Sequence, residues 1–232
     1  MLAKDVMTTS VVTVPPGTDV REVAALFLER RISAVPVVDA QGGLLGIVSE
    51  GDLLNRPEAE TQHRRSWWLR LFAGPDDQAR EYLRVHGRRA EDVMTQEVVT
   101  VPEDMPLGKI AALLERHRIK RVPVMRDGKL VGIVSRSNLL QGLAAWRPEA
   151  PVKREDRDIR ESLLDALAEA GLPMHQVNVI VSDGVVQLWG GIESKAQHHA
   201  ALAAAEATAG VKRVDDHLGI VSAIERVAHG GV

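Results

Sequence analysis

Ser49 and Asp52 stand three residues apart in "GIVSEGDLL", and Ser135 and Asn138 repeat that spacing in "GIVSRSNLL". A serine where a strand gives way to a helix places a hydroxyl beside the helix's unpaired amides, a position that suits a phosphate. An aspartate one turn later accepts hydrogen bonds from a diol, and the glycine ahead of the strand end lets another group approach the backbone. Together these residue types suit a ribose phosphate. The same side chains read equally well as helix caps, which short polar residues form routinely.

Other chemistries find less support. No GxSxG or P-loop pattern is present and no acid, base and nucleophile stand out, so no catalytic residue and no enzymatic activity are expected. His198 and His199 are adjacent, so on a helix they point about 100° apart and do not share a metal as an i, i+4 pair would. No metal site is expected. The chain has no cysteine, which excludes a disulfide framework and a thiol nucleophile. A formal net charge of -3, without a helix-turn-helix or zinc pattern, argues against nucleic acid as a partner. The start "MLAKDVMTTSVV" lacks an apolar run of signal-peptide length, and nowhere do about 18 apolar residues follow one another. The expected location is cytoplasmic.

The elements that position these residues come in two copies. Over 232 residues, 45% hydrophobic and 26% charged, the composition is that of a soluble globular chain. "DVMTTSVVTVP" from Asp5 lies over "DVMTQEVVTVP" from Asp92, and the register carries "AALFLERRISAVPVV" onto "AALLERHRIKRVPVM". After a one-residue deletion it reaches the two phrases above. Two copies indicate duplication, not a solenoid. In each, an amphipathic helix (Val20, Val23, Ala24, Phe27 and Leu28, with Asp19 and Glu22 as a capping pair) precedes two short apolar strands. In the second copy Asp127-Gly128 supplies the positive backbone angles of a tight hairpin. The phrase after Ser49 or Ser135 then opens a second helix.

These motifs, recurring twice in the same order over residues 2 to 54 and 90 to about 145, resemble a tandem pair of CBS domains. The resemblance implies an α/β module in which two copies pack through their sheets with pseudo-symmetry, and modules that pair into a flat homodimer. It also implies adenosine nucleotides held in clefts between the copies. Carried over by position, Asp52 takes the ribose hydroxyls, Ser49 belongs to the same ribose-phosphate site, and the phosphates meet Lys120, Arg121 and Arg136. Val11, Thr13, Val35, Pro36 and Val37 lie near the base, although all of them also suit core packing. The partner cleft, with Ser135 and Asn138 facing Ser33, Ala34 and Glu50, is the weaker one because it carries a carboxylate where the first carries cations. Exposed charge contacts are worth only about 0 to 1 kcal/mol each, but two or three attractive against one repulsive can exceed the roughly 1.4 kcal/mol of a tenfold preference. One competent site per chain is expected, with a solvated basic face as the alternative reading of the three cations.

Residues 152 to 222 differ in kind. Ile159, Leu163, Ala166, Leu167 and Ala170 form a helix stripe ending at Gly171 and Pro173. Val177, Val179 and Val181 alternate as in a half-buried strand, Asp183-Gly184 turns, and "VVQLWGG" returns. Ser194 with Gln197 opens a second helix that runs to Gly210, and "VKRVDDHLGIV" is a last strand. The order αββαβ, with "VVQLWGGI" and "GVKRVDDHL", resembles a BON domain, a small α+β domain in any case. Such domains are associated with phospholipid surfaces and other macromolecules. Trp189 is read as core.

The expected organisation is therefore CBS repeat 1 over 1–56, a helical insertion over 57–89, CBS repeat 2 over 90–146, a linker over 147–153, a BON domain over 154–224 and a tail over 225–232. In the insertion Trp67, Trp68, Leu71 and Phe72 share a helical surface flanked by Arg64, Arg65 and Arg70. That surface suits packing on the protein or on a dimer partner, with a membrane interface as the rival reading. The expected function is a non-enzymatic regulatory sensor. It requires no cofactor, binds AMP, ADP or ATP as a regulatory ligand, and relays the bound state through dimer packing and the BON domain to a protein partner or a phospholipid surface. The rival is a ligand-independent dimeric adaptor with the BON domain as a docking or membrane-surface module, peripheral to the membrane.

Overall fold

A computed structural model describes residues 1–54, 83, 87–149 and 151–221. Trp67, Trp68, their neighbours in the insertion and the tail over 225–232 lie outside the described residues. The fold is mixed α/β. In chain order its elements are α1 (Ala3–Val6), α2 (Val20–Arg30), β1 (Ala34–Val38), β2 (Leu44–Ser49), α3 (Glu50–Leu54), α4 (Ala90–Val93), β3 (Val101–Pro102), α5 (Leu107–Arg116), β4 (Arg121–Arg126), β5 (Lys129–Ser135) and α6 (Arg136–Ala145). The last part holds α7 (Arg154–Glu169), β6 (Val177–Ser182), β7 (Val185–Ile192), α8 (Lys195–Ala207) and β8 (Arg213–Ile220).

These elements form two compact units that do not coincide with the sequence repeats. One comprises Val12–Val99 and Asp127–Leu130; the other comprises Met1–Val11, Thr100–Arg126 and Val131–Val232. Each repeat surrenders its opening "DVMT" segment to the unit built on the other repeat's hairpin.

In the first unit Asp19 starts α2 by accepting a hydrogen bond from the Arg21 amide at 2.8 Å, and Arg31 ends it in the left-handed conformation. Val23 and Phe27 bury against Val14, Val35, Val37 and Val48. Leu28, on the expected stripe, is 82% exposed, because the packed face runs through Val20, Val23, Leu26 and Phe27 instead. Strands β1 and β2 pair antiparallel, with Ala34 opposite Ser49. The α4 segment joins them by reciprocal bonds between Thr95 and Ile47, at 3.0 and 2.9 Å.

In the second unit β3, β4 and β5 form one sheet in that order. The segment after α1 joins β5 through reciprocal 3.0 Å bonds between Thr8 and Ile133. The glycine of each phrase allows these crossings. A Cβ on Gly46 would stand 2.5 Å from Met94 Sδ, and one on Gly132 would stand 2.5 Å from Met7 Sδ. The group that approaches this glycine is therefore the other repeat's own chain.

The C-terminal part of this unit follows the expected αββαβ order, with β7 central, antiparallel to β6 and parallel to β8. Ile159, Leu163 and Leu167 of α7 and Ala201 and Ala205 of α8 close over Val177, Val179, Val186, Leu188 and Ile192. Each fully buried large aliphatic here contributes about 1.5–3 kcal/mol. Ser194 caps α8 by accepting from the Gln197 amide, while the Gln197 side chain reaches back to the Glu193 amide. Asp183 and Gly184 make the β6–β7 turn with φ of 51° and 72°.

Strand β6 departs from expectation. All six residues are buried, not only the alternating valines. Its second face, carrying Asn178, Ile180 and Ser182, is covered: Ile180 packs with Val6 and Ala145 in a cluster that also holds Met1, Leu107 and Trp189. Among the described residues no helix is long and apolar enough to cross a membrane.

Candidate functional site

The two phrases fold alike. Ser49 donates to Asp52 Oδ2 through its amide at 2.8 Å and through its hydroxyl at 2.6 Å. Ser135 donates to Asn138 Oδ1 with the same pair of distances. Both pairs are therefore helix caps, satisfying amides that a helix start leaves open. The Ser49 hydroxyl has committed its proton to Asp52. What remains on that oxygen is its lone pairs, which accept from a sugar hydroxyl more readily than they serve a phosphate.

The surroundings of the two phrases differ in charge. In the first unit the antiparallel register sets Ala34 beside Ser49, and the Glu50 amide donates to Ser33 O at 3.1 Å. Carboxylates Glu50 and Asp52 thus stand at this end of the hairpin. In the second unit the Arg136 amide donates to Lys120 O at 3.2 Å, and its guanidinium reaches Ile119 O at 3.4 Å. This gathers Lys120, Arg121 and Arg136 at the corresponding end, with Lys120 and Arg136 exposed and Arg121 half-buried.

Asn138 occupies a different environment from its counterpart. It is 5% exposed, and its amide donates to Val6 O at 3.0 Å and to Thr8 Oγ1 at 3.3 Å. An aspartate here would turn a carboxylate oxygen toward a carbonyl. Of the residues assigned to the base, Val35 and Val37 are fully buried in the first unit's core and Pro36 is buried too, whereas Thr13 is exposed and Val11 half-buried.

Comparison with known proteins gives this duplicated fold a family. The CBS domain model matches residues 3–58 and 90–145, and the BON domain model matches residues 155–222. The CBS domain-containing protein YhcV of Bacillus subtilis is 32% identical over 136 residues, 59% of this chain and 81% of that protein. The chain belongs to the CBS-domain proteins. It joins two CBS domains to a C-terminal BON domain. MJ1426 of Methanocaldococcus jannaschii is also 32% identical, over 62% of this chain and 91% of that protein. Among solved structures, that of CBSX2 in complex with AMP superimposes with a TM-score of 0.55 at 29% identity, covering 63% of this chain and 99% of that one.

Within the second unit the BON domain is joined to the opening Asp5–Met7 segment by a buried polar seam. Arg160 of α7 donates through Nε to Val179 O at 2.7 Å and through Nη2 to Met7 O at 2.6 Å. Burial draws its pKa down to about 10, and the charge of Asp5 opposes that shift. Arg157 meets the buried Asp5 carboxylate at 2.7 Å, a bond that raises the guanidinium's pKa. Asn178 of β6 donates to Val6 O at 2.9 Å and to Gln141 Oε1 at 2.7 Å. Beside the seam Trp189 stacks on His217 with ring centroids 3.9 Å apart, so this tryptophan is half-buried at a junction and not inside the BON core. His198 is bonded to Asp216 at 2.6 Å.

Asp5, Arg157, Arg160 and Asn178 were not among the site residues that the sequence suggested. Arg157 and Arg160 carry one usable signal: they sit at i, i+3 on α7, on a face adjoining the apolar stripe of Ile159 and Leu163. Asn178 carried none, because a polar residue alternating with valines reads as a solvent-facing position.

Proposed function

We propose that this CBS–BON chain is a non-enzymatic regulatory protein that binds an adenosine nucleotide at its CBS repeats and presents the bound state through dimer packing and the BON domain. The observation that carries this reading is the likeness to CBSX2, whose crystal structure is a complex with AMP. The local chemistry agrees. Ser49 and Asp52 offer acceptors for ribose hydroxyls, and Lys120, Arg121 and Arg136 offer cations for phosphate. The residues proposed for the nucleotide are Ser49, Asp52, Lys120, Arg121 and Arg136, with Val11 and Thr13, which keep exposed surface, toward the base.

The test is a thermal-shift series with AMP, ADP and ATP on the full chain and on Asp52→Ala. Ligand at 100 times its Kd adds about 2.7 kcal/mol, a rise of several degrees in Tm. A shift lost in Asp52→Ala is the expected result. Flat curves with all three nucleotides would end this reading.

The buried seam under the BON domain also supports a second reading, a constitutive adaptor. Charges buried in such a contact favour one fixed arrangement, as a scaffold requires. In that case capture of a partner or of phospholipid vesicles is the same with and without AMP.

A further inference from the structure

We propose that the backbone segment Val6–Thr8 couples the second CBS repeat to the BON domain, with Asn138 committed to that segment and not to a ligand. In bearing on nucleotide signalling the inference rests on the function proposed above; the contact network that carries it does not.

Three strands of observation converge on this short segment. Val6 O accepts from Asn138 on the CBS side at 3.0 Å and from Asn178 on the BON side at 2.9 Å. Met7 O accepts from the buried Arg160, whose other nitrogen holds Val179 O in β6. Thr8 closes the ladder with Ile133 of β5 and receives the second bond from Asn138. Three residues thus carry bonds to α6, β5, α7 and β6 together. Three positions further along is Val11, assigned above to the nucleotide's base.

The seam holds one unmet demand. Asn178 Oδ1 is buried and has no hydrogen-bond partner among the described residues. Its amide is satisfied on the donor side only, so the seated arrangement carries a desolvation cost that a displaced one would shed. A buried guanidinium facing two carbonyls adds to that cost. The divergence of the repeated phrase also gains a reason. Asp52 keeps its carboxylate because no described bond asks it for a donor. At position 138 an amide is needed, since only an amide both caps Ser135 and donates to Val6 O.

Two readouts on the full chain test the coupling. The first needs no nucleotide. Amide hydrogen exchange at Thr8 and Ile133 is compared between the wild type, Asn178→Ser and Arg160→Met, with amides of α8 as the control for an intact BON fold. Exchange at Thr8 and Ile133 is expected to quicken at least about tenfold in either variant while α8 stays protected. Unchanged exchange there, with α8 protected, overturns the proposal whatever binds to the CBS repeats. Should one variant lose the α8 control, the other decides.

The second readout is the AMP Kd of the same proteins. Linkage requires that a seam coupled to the site alters affinity, here by about fivefold or more, the lower end of the roughly 5–150-fold typical of coupled sites. AMP that binds the wild type and both variants with equal Kd also overturns the coupling. AMP that binds none of them defeats the proposed nucleotide function instead, and the exchange rates at Thr8 and Ile133 then decide the coupling by themselves.

Discussion

Asn138 and Asn178 donate to one and the same acceptor, the carbonyl oxygen of Val6, at 3.0 and 2.9 Å. One belongs to the repeated CBS phrase and the other to the BON sheet. A carbonyl has two lone pairs, and here both are taken.

Asn138→Asp is therefore expected to destabilise the chain although the change recreates the phrase of the first repeat. The cap on Ser135 survives, but the donor to Val6 O is lost and a carboxylate faces a carbonyl. A loss of about 1–3 kcal/mol is expected in a denaturant melt, the usual cost of a buried group left unpaired. A midpoint equal to that of the wild type would show that the bond contributes nothing.

Two glycines separate backbone strain from collision. Gly171 has a φ of +75° and nothing within 4 Å of an added Cβ, so Gly171→Ala should cost about 1–2 kcal/mol for the left-handed conformation alone. Gly190 has a φ of +126°, and a Cβ there would collide with the Gln176 carbonyl across the β6–β7 pair. Gly190→Ala should lower Tm well beyond Gly171→Ala. Equal shifts would mean that β7 yields without cost.

Asp183 is a surface group held below the ordinary aspartate range, first by its hydrogen bond with Lys212 at 3.2 Å and then by the charges of Lys212 and Lys153. A carboxylate whose folded pKa is depressed stabilises above its unfolded value, near 3.9, and loses that contribution as pH falls through the folded one. The Tm difference between wild type and Asp183→Asn should accordingly shrink on going from about pH 6 to about pH 3. A gap that is constant over that window would assign no role to the two lysines.

The expected homodimer has a candidate surface on α6. Leu140 and Leu143 are both 67% exposed there, and Leu54, at the position matching Leu140 in the first repeat, is 57% exposed. Repeated exposed leucines at matching positions suit a self-complementary contact. Leu140→Glu combined with Leu143→Glu should move the chain from dimer to monomer in light scattering. An unchanged mass would place the contact elsewhere.

Charge divergence predicts a stoichiometry. Calorimetry should find one AMP per chain, and Glu50→Arg, which restores a cation at the position of Arg136, should admit a second. Two equal sites in the wild type would contradict the asymmetry.

Much was legible in the letters because it is local. The helix over Val20–Arg30, the left-handed pair Asp127-Gly128 and the αββαβ order after Lys153 follow from periodicity, turn residues and caps, all properties of neighbours in the chain. The doubled "DVMT" and "GIVS" phrases revealed duplication by themselves. What no local pattern held was which copy each "DVMT" segment serves, and that β6 is buried on both faces. Both depend on residues far apart in sequence: Gly132 on Met7, Ile180 on Val6 and Ala145, Arg160 on Met7 O. The sequence determined that an asparagine replaces an aspartate at position 138. Only the tertiary structure decided why, because the acceptor that calls for an amide there lies at Val6, in the other repeat, and is shared with a residue of a different domain.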